Sequence, residues 1–95
     1  MNFQMCRNHG LLEAQFDAPE WSQGEKVIKH LKKRFNAEVM EKAEGPDART
    51  WTVRIEGGVF VVNQWDTGDI SLFAKDSSLE TMTNRIAESI QKEVP

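Results

Sequence analysis

Cysteine and long apolar runs are nearly absent from this chain of 95 residues. Cys6 is the only cysteine, so no disulfide can form within the chain, and a reducing compartment suits it best. The longest apolar run is Val59–Val62, whereas a helix that crosses a membrane needs about 20 apolar residues. Residues 1–9 mix Asn, Gln and Arg with apolar side chains, unlike a secretory signal. These absences predict a soluble cytoplasmic protein without membrane contact.

The composition is that of an ordinary globular protein, with 39% hydrophobic and 28% charged residues. A chain of this length can build one hydrophobic core but not two, so we predict a single domain over residues 1–95. The net charge of -3 hides an uneven distribution, because residues 26–34 contain five bases and no acid. The surface is therefore expected to be electrically two-sided.

The N-terminal segment has the pattern of a β-hairpin. Apolar and polar residues alternate on both sides of His9-Gly10. A two-residue turn there pairs Met5 with Ala14 and Phe3 with Phe16, which places both apolar rows on one face.

Two amphipathic helices are predicted from spacing and from start signals. Ser22 and Glu25 fit a capping box that opens a helix ending near Phe35, and Ser77 and Glu80 fit a second box. The first helix has an apolar stripe of Val27, Ile28, Leu31 and Phe35. The second has a stripe of Leu79, Met82, Ile86, Ile90 and Val94.

Four further strands are predicted between the helices. Residues 37–43 are a weak strand, and residues 50–56 alternate strictly between apolar and polar side chains. The next strand ends at the turn of residues 66–69, after which a last strand carries Ile70 and Leu72 on one face. The order ββαββββα predicts an α+β fold, a two-layer sandwich with both helices on one face of a mostly antiparallel sheet.

Gly57-Gly58 has the residue types of a tight hairpin turn. Placing the turn there sets Ile55 opposite Phe60 and Val53 opposite Val62, which gives a consistent apolar face.

Motifs for catalysis and metal binding are weak. Asp66-Thr67-Gly68 matches the catalytic triplet of retroviral-type aspartic proteases, which place it after an apolar strand in a nearly all-β fold. Here Gln64 and Trp65 precede the triplet and two helices surround it, so we interpret it as an ordinary turn. Cys6 and His9 have the spacing of half a metal site, with His30 as the other available soft donor. We therefore predict no catalytic residue, metal or cofactor, and a non-enzymatic protein.

The outer sheet face, away from the helices, is predicted to carry Val59, Val61, Trp65 and Phe73. An exposed apolar patch with a tryptophan is a common basis for protein binding. We predict an adaptor or regulatory domain that binds a protein partner here, with a second copy of the chain as one candidate. The alternative is that a loop or the N-terminal hairpin covers the patch.

The first helix offers a different surface, formed by Lys26, Lys29, Lys32, Lys33 and Arg34. Such a basic ridge is suited to nucleic-acid phosphates, and binding there would weaken steeply with salt. The alternative is a solvated helix face whose bases favour the helix C-terminus.

A third hypothesis is an immunity or inhibitor protein against a basic toxin, because acidic domains can match such partners charge against charge. The expected contacts are the loop carboxylates Asp47, Asp66, Asp69 and Asp76.

The segments 18–21 (Ala-Pro-Glu-Trp), 45–51 (Gly-Pro-Asp-Ala-Arg-Thr-Trp) and 56–58 (Glu-Gly-Gly) also carry a resemblance. In this order they resemble a family of short bacterial proteins catalogued only as a domain of unknown function. The resemblance covers about two thirds of the chain and rests on aromatic, glycine and turn residues. It implies a bacterial cytoplasmic protein and brings no function or site residues.

Overall fold

A computed structural model describes residues 1–95 as one six-stranded antiparallel sheet with two helices on one face. The strands are β1 (Phe3–Asn8), β2 (Leu11–Asp17), β3 (Glu38–Glu44), β4 (Ala48–Ile55), β5 (Gly58–Trp65) and β6 (Asp69–Ala74). The helices are α1 (Ser22–Phe35) and α2 (Glu80–Glu93), and a short 3-10 helix spans Ser77–Leu79. The order across the sheet is β1-β2-β6-β5-β4-β3. The α+β class and the element order ββαββββα are confirmed.

The core lies between the helices and the inner face of the sheet. Alternate residues of β2, β4, β5 and β6 point inward and pack with the apolar stripes of both helices. The largest buried apolar side chains are Trp51, Phe16, Phe60 and Leu31. Neither helix is long and apolar enough to cross a membrane.

The first hairpin has the register that the alternation predicts. Phe3 lies opposite Phe16 and Met5 opposite Ala14. The two turn residues, His9-Gly10, have φ values of 52° and 80°, as a two-residue turn with positive φ requires.

The β4–β5 turn lies one residue earlier than predicted, at Glu56-Gly57, where φ is 50° and 81°. The expected pairing was therefore wrong, because Val53 lies opposite Phe60, while Ile55 faces Gly58. Each pairing is displaced by two residues on the partner strand, so every side chain keeps its predicted face.

The predicted start of α1 was wrong in its details. Ser22 is already the first helical residue, so its hydroxyl does not cap the helix. The amide oxygen of Gln23 instead accepts a 2.9 Å hydrogen bond from the backbone N–H of Glu20. Glu25 turns away from the helix end to bases on β3 and β4.

The Ser77 capping box was wrong as well. The carboxylate of Asp76 accepts the backbone N–H of Ser78 at 2.9 Å, and Ser77–Leu79 form the 3-10 helix before α2. Glu80 pairs with Arg7 of β1 at 2.8 Å. The carboxylate of Asp76, one residue upstream of the predicted cap, takes this role, and Glu80 is left free for its pair with Arg7.

Candidate functional site

The outer sheet face has no second layer. Both helices lie on the inner face, and the β1–β2 hairpin extends the sheet beside β6 rather than folding over it. Of the two expectations for the patch, coverage by the hairpin is therefore not what the structure shows.

Val59, Val61, Trp65 and Phe73 all lie on this face but do not form one continuous patch. Val61 lies opposite Phe73, with Val59 beside it. Trp65 is four residues further along β5, a distance of about 13 Å. The polar pair Asn63 and Ser71 lies between them.

Trp65 is the most exposed of the four residues predicted for this patch. Trp65 is 47% exposed, whereas Val61 is only 6% exposed and Phe73 is half-buried. Met40, 46% exposed at an irregularity in β3, shares a shallow groove with Val59. The exposure of Met40 was not predictable from the sequence, because no local pattern shows that the strand pairing is interrupted there.

A shallow groove of about 440 Å³ connects Trp65 with the β1–β2 turn across this face. Its lining is mixed and includes Asn8, His9, Leu11, Glu13, Gln15, Asn63, Asp69, Ser71 and Phe73. Glu13 is buried and accepts a 2.8 Å hydrogen bond from the amide of Gln15. The groove offers hydrogen-bond donors and acceptors beside aromatic rings.

Cys6 and His9 do not form a metal site with other ligands, since no group of three candidate ligands occurs in the structure. The Cys6 sulfur lies 3.8 Å from a carboxylate oxygen of Glu13. Burial, and then the negative charge of Glu13, raises the pKa of the Cys6 thiol. The thiol is therefore protonated at neutral pH.

Asp66-Thr67-Gly68 forms the turn between β5 and β6. The N–H of Gly68 donates to the carbonyl of Trp65, and the Thr67 hydroxyl donates to Asp69 at 3.3 Å. Gly68 has φ of 103°, a conformation that favours glycine. These residues close a hairpin, as the turn interpretation predicts.

A second surface feature was not foreseen from the sequence, and we call it the end cleft. It occupies about 450 Å³ at the end of the sheet where β5 finishes. Its walls are Trp21, Trp65, Pro19 and Pro46, with Glu44 and Asp66 at the edge, and Ala18 and Gly45 complete the lining. Trp65 lines both the end cleft and the outer-face groove, so the two surfaces adjoin at this side chain.

Beneath the end cleft, buried Arg49 holds Trp21 in place. Its guanidinium donates to Gln64 Oε1 at 2.7 Å and to the backbone carbonyl of Trp21. The same group lies 4.3 Å from the Trp21 ring and 4.9 Å from the Trp51 ring, within cation–π range. Trp21 is thus 43% exposed yet stacked on a fixed cation.

The cluster of Trp21, Arg49 and Trp51 joins residues of the segments 18–21 and 45–51. They come from a loop and a strand far apart in the chain, and Pro19 and Pro46 of the same segments line the adjoining cleft. Residue type alone gave no signal for this arrangement.

The four loop aspartates of the inhibitor hypothesis do not lie together. The N–H of Asp66 donates to the carbonyl of Asp47 at 2.9 Å, and Asp69 begins the strand beside them. Asp76 follows the other end of β6, about 20 Å away along a six-residue strand. Three of the four carboxylates can therefore share one surface.

The basic surface of α1 is partly as predicted. Lys26, Lys29, Lys32 and Lys33 are exposed, and the spacing of three and four residues places them on one side of the helix. Arg34 points to α2, where it pairs with Glu93. The four lysines take part in none of the ion pairs of the structure, whereas the exposed Arg34 side chain is engaged by Glu93.

His30 is a buried contact between the helices. Its Nε2 lies 2.8 Å from the Ser89 hydroxyl, and its ring packs edge-on against Phe35. Burial lowers the pKa of His30, and the nearby Arg34 and Lys33 add to this, while Glu93 opposes it. The neutral imidazole is the form that the fold accommodates.

A pH dependence of stability follows from His30. Because its pKa is lowered on folding, the unfolded chain binds more protons, so the free energy of unfolding falls as pH drops below the ordinary value of 6.5. We expect His30→Gln to remove this loss in urea unfolding measured at about pH 7.5 and pH 5.5.

The ion pair of Glu93 affects the stability in a lower pH range than His30 does. Burial raises the pKa of Glu93, but Arg34 outweighs this and the net direction is below 4.5. If His30→Gln lost as much unfolding free energy as the wild-type protein between these two pH values, a group other than His30 would be responsible for the loss.

Comparisons with protein-family models, with curated proteins and with solved structures found no match to this chain.

Proposed function

We propose that this chain is a small non-enzymatic protein-binding domain, of an adaptor or regulatory kind, that contacts its partner through the outer sheet face. The observation that supports this is a large aromatic side chain, Trp65, left 47% exposed on a face with no covering layer. Tryptophan is among the residues that contribute most to protein interfaces when a partner buries it.

The surroundings of Trp65 suit such a contact. The half-buried ring of Phe73 offers apolar area, and Asn63 with Gln15 provides hydrogen-bonding groups in the same groove. Interfaces combine a few aromatic anchors with polar groups in this way. A second copy of the chain remains one candidate partner.

An inhibitor of a basic protein is the second candidate function. The position of Asp47, Asp66 and Asp69 at one end of the sheet favours it, because close carboxylates steer a basic partner and set its orientation. Asp76 is not part of this proposal.

We propose that the protein is located in a reducing cytoplasm, on the basis of its single cysteine. The bacterial origin suggested by the family resemblance stays a prediction.

The capture experiment uses the tagged protein and lysate from its own cells, with and without nuclease treatment, followed by mass spectrometry. We expect Trp65→Ala to lower recovery of a stoichiometric partner at least about tenfold, since truncating a hot-spot tryptophan costs about 2 kcal/mol or more of binding free energy. Phe73→Ser should weaken capture as well. Arg85→Ala, at an exposed position of α2 on the other side of the sheet, is the control and should change nothing.

Two outcomes of the capture experiment and one of sedimentation velocity discriminate between the candidate contacts. Equal recovery by Trp65→Ala and wild type would remove the outer face as the contact. Material lost on nuclease treatment, and lost with Lys32→Glu plus Lys33→Glu, would establish the nucleic-acid alternative. Sedimentation velocity that shows a dimer dissociated by Trp65→Ala would identify a second copy as the partner.

A further inference from the structure

The end cleft is the site from which a partner class can be inferred. Two of the three exposed large hydrophobic side chains of the protein, Trp21 and Trp65, line it together. Pro19 and Pro46 complete the apolar walls. Flat aromatic and proline surfaces of this kind accept extended, proline-containing chains, which lose little conformational entropy on binding.

The Trp21 wall of the end cleft is held in position without a ligand. Arg49 stacks under the Trp21 ring and binds the Trp21 carbonyl, and Gln64 Nε2 donates to the same carbonyl at 3.0 Å. The two turns at the cleft edge are joined by the 2.9 Å hydrogen bond between Asp66 and Asp47. A fixed Trp21 and fixed turns lower the entropic cost of ordering the cleft when it binds.

The charge around the end cleft is negative. Six carboxylates lie at this end of the sheet, at Asp17, Glu20, Glu44, Asp47, Asp66 and Asp69. No basic side chain lines the cleft, buried Arg49 is paired with Glu25 at 3.5 Å, and Lys42 lies 2.9 Å from Glu44. The remaining carboxylates are complementary to a cationic ligand.

We infer that the end cleft binds an extended segment of a partner protein in which arginine or lysine alternates with proline. Prolines pack between Trp21 and Trp65, and the cationic side chains reach Asp47 and Asp66. This inference rests on the proposed protein-binding function and adds the chemistry of the partner.

The test is a titration of the ¹⁵N-labelled protein with a short peptide of alternating arginine and proline, followed by NMR. We expect saturable shifts of the indole N–H signals of Trp21 and Trp65, with the backbone N–H of Gly57, at the opposite end of the sheet, as internal reference. A peptide with glutamate in place of arginine should not bind. Equal binding of a peptide with alanine in place of proline would overturn the proline-containing class.

Two variants locate the binding. Trp21→Ala should weaken the affinity about 30-fold, as expected for a hot-spot tryptophan. Asp47→Asn with Asp66→Asn should weaken it about tenfold, because exposed ion pairs are each worth a few-fold in affinity. The double variant changes only exposed carboxylates, so it tests the inference even if Trp21→Ala does not fold.

Contrary results have separate meanings for the two proposals. The inference would be overturned if the peptide caused no saturable shifts, or if the double variant bound it with full affinity. It would also be overturned if the shifts depended on protein concentration alone, because a second copy of the chain would then fill the cleft. A partner captured in a Phe73-dependent way while the peptide fails to bind would leave the proposed function standing. Peptide binding with no effect of Phe73→Ser on capture would remove the outer face instead.

Discussion

Gly24→Ala is expected to lower the free energy of unfolding by about 3 kcal/mol, because the added methyl group overpacks the contact between α1 and the sheet. A Cβ at this position would lie 1.9 Å from Gln64 Oε1 and 2.9 Å from a ring carbon of Trp51. Gln64 is fully buried and hydrogen-bonded to Arg49, so its amide cannot move aside to make room for the added methyl group.

The sign of this effect opposes helix propensity. Alanine is favoured over glycine in a helix by about 1 kcal/mol, so an unconstrained α1 would gain stability. The clash exceeds that gain because it involves a side chain fixed by hydrogen bonds.

Urea unfolding followed by circular dichroism measures the effect, with Gly45→Ala as the control. A Cβ at Gly45 would meet only the Ala48 carbonyl oxygen at 3.7 Å, an ordinary contact, so we expect a change within about 0.5 kcal/mol. A stabilised Gly24→Ala protein would show that α1 does not approach the sheet this closely.

Arg49→Ala is expected to cost about 3 kcal/mol of stability, since it removes a buried side chain together with its hydrogen bonds. Arg49 fills the space between the Trp21 and Trp51 rings and joins β4 to the start of α1. Its removal leaves a cavity under Trp21 and deprives Gln64 Oε1 of its buried donor.

The matched control is Arg54→Ala, on the same strand. Arg54 is exposed and pairs with Glu38 at 3.3 Å, so we expect a change of no more than about 0.5 kcal/mol. Arg49→Lys tests the geometry, because lysine keeps the charge but lacks the planar group that stacks and donates to two acceptors. An Arg49→Lys protein as stable as the wild type would show that charge alone is sufficient.

The β1–β2 and β4–β5 hairpins show which local signals predict strand register. At His9-Gly10 only one short turn brings the flanking apolar rows together, and the predicted pairing of Met5 with Ala14 is confirmed. In the β4–β5 hairpin a turn at Glu56-Gly57 and a turn at Gly57-Gly58 both place the apolar residues on one face, because displacing the pairing by two residues preserves the face. Alternation therefore identifies the faces and does not choose between these registers.

The helix starts show a similar limit. Both segments became helices, but the side chains at their starts were not those of the expected capping boxes. Glu25 contacts Lys42 and Arg49, and Glu80 contacts Arg7. These partners come from strands distant in sequence, so local spacing does not reveal the competition.

The order of residues along this chain by itself determined the elements, the fold class and the faces of the strands, because these depend on periods of two and 3.6 residues within short segments. Only the tertiary structure decided that Asp76 lies apart from the other loop aspartates, that Arg34 pairs with Glu93, and that the outer face stays uncovered. It also brought together Trp21, Arg49 and Gln64. Such contacts depend on strand order and on the crossing of α1, which arise from packing the whole core.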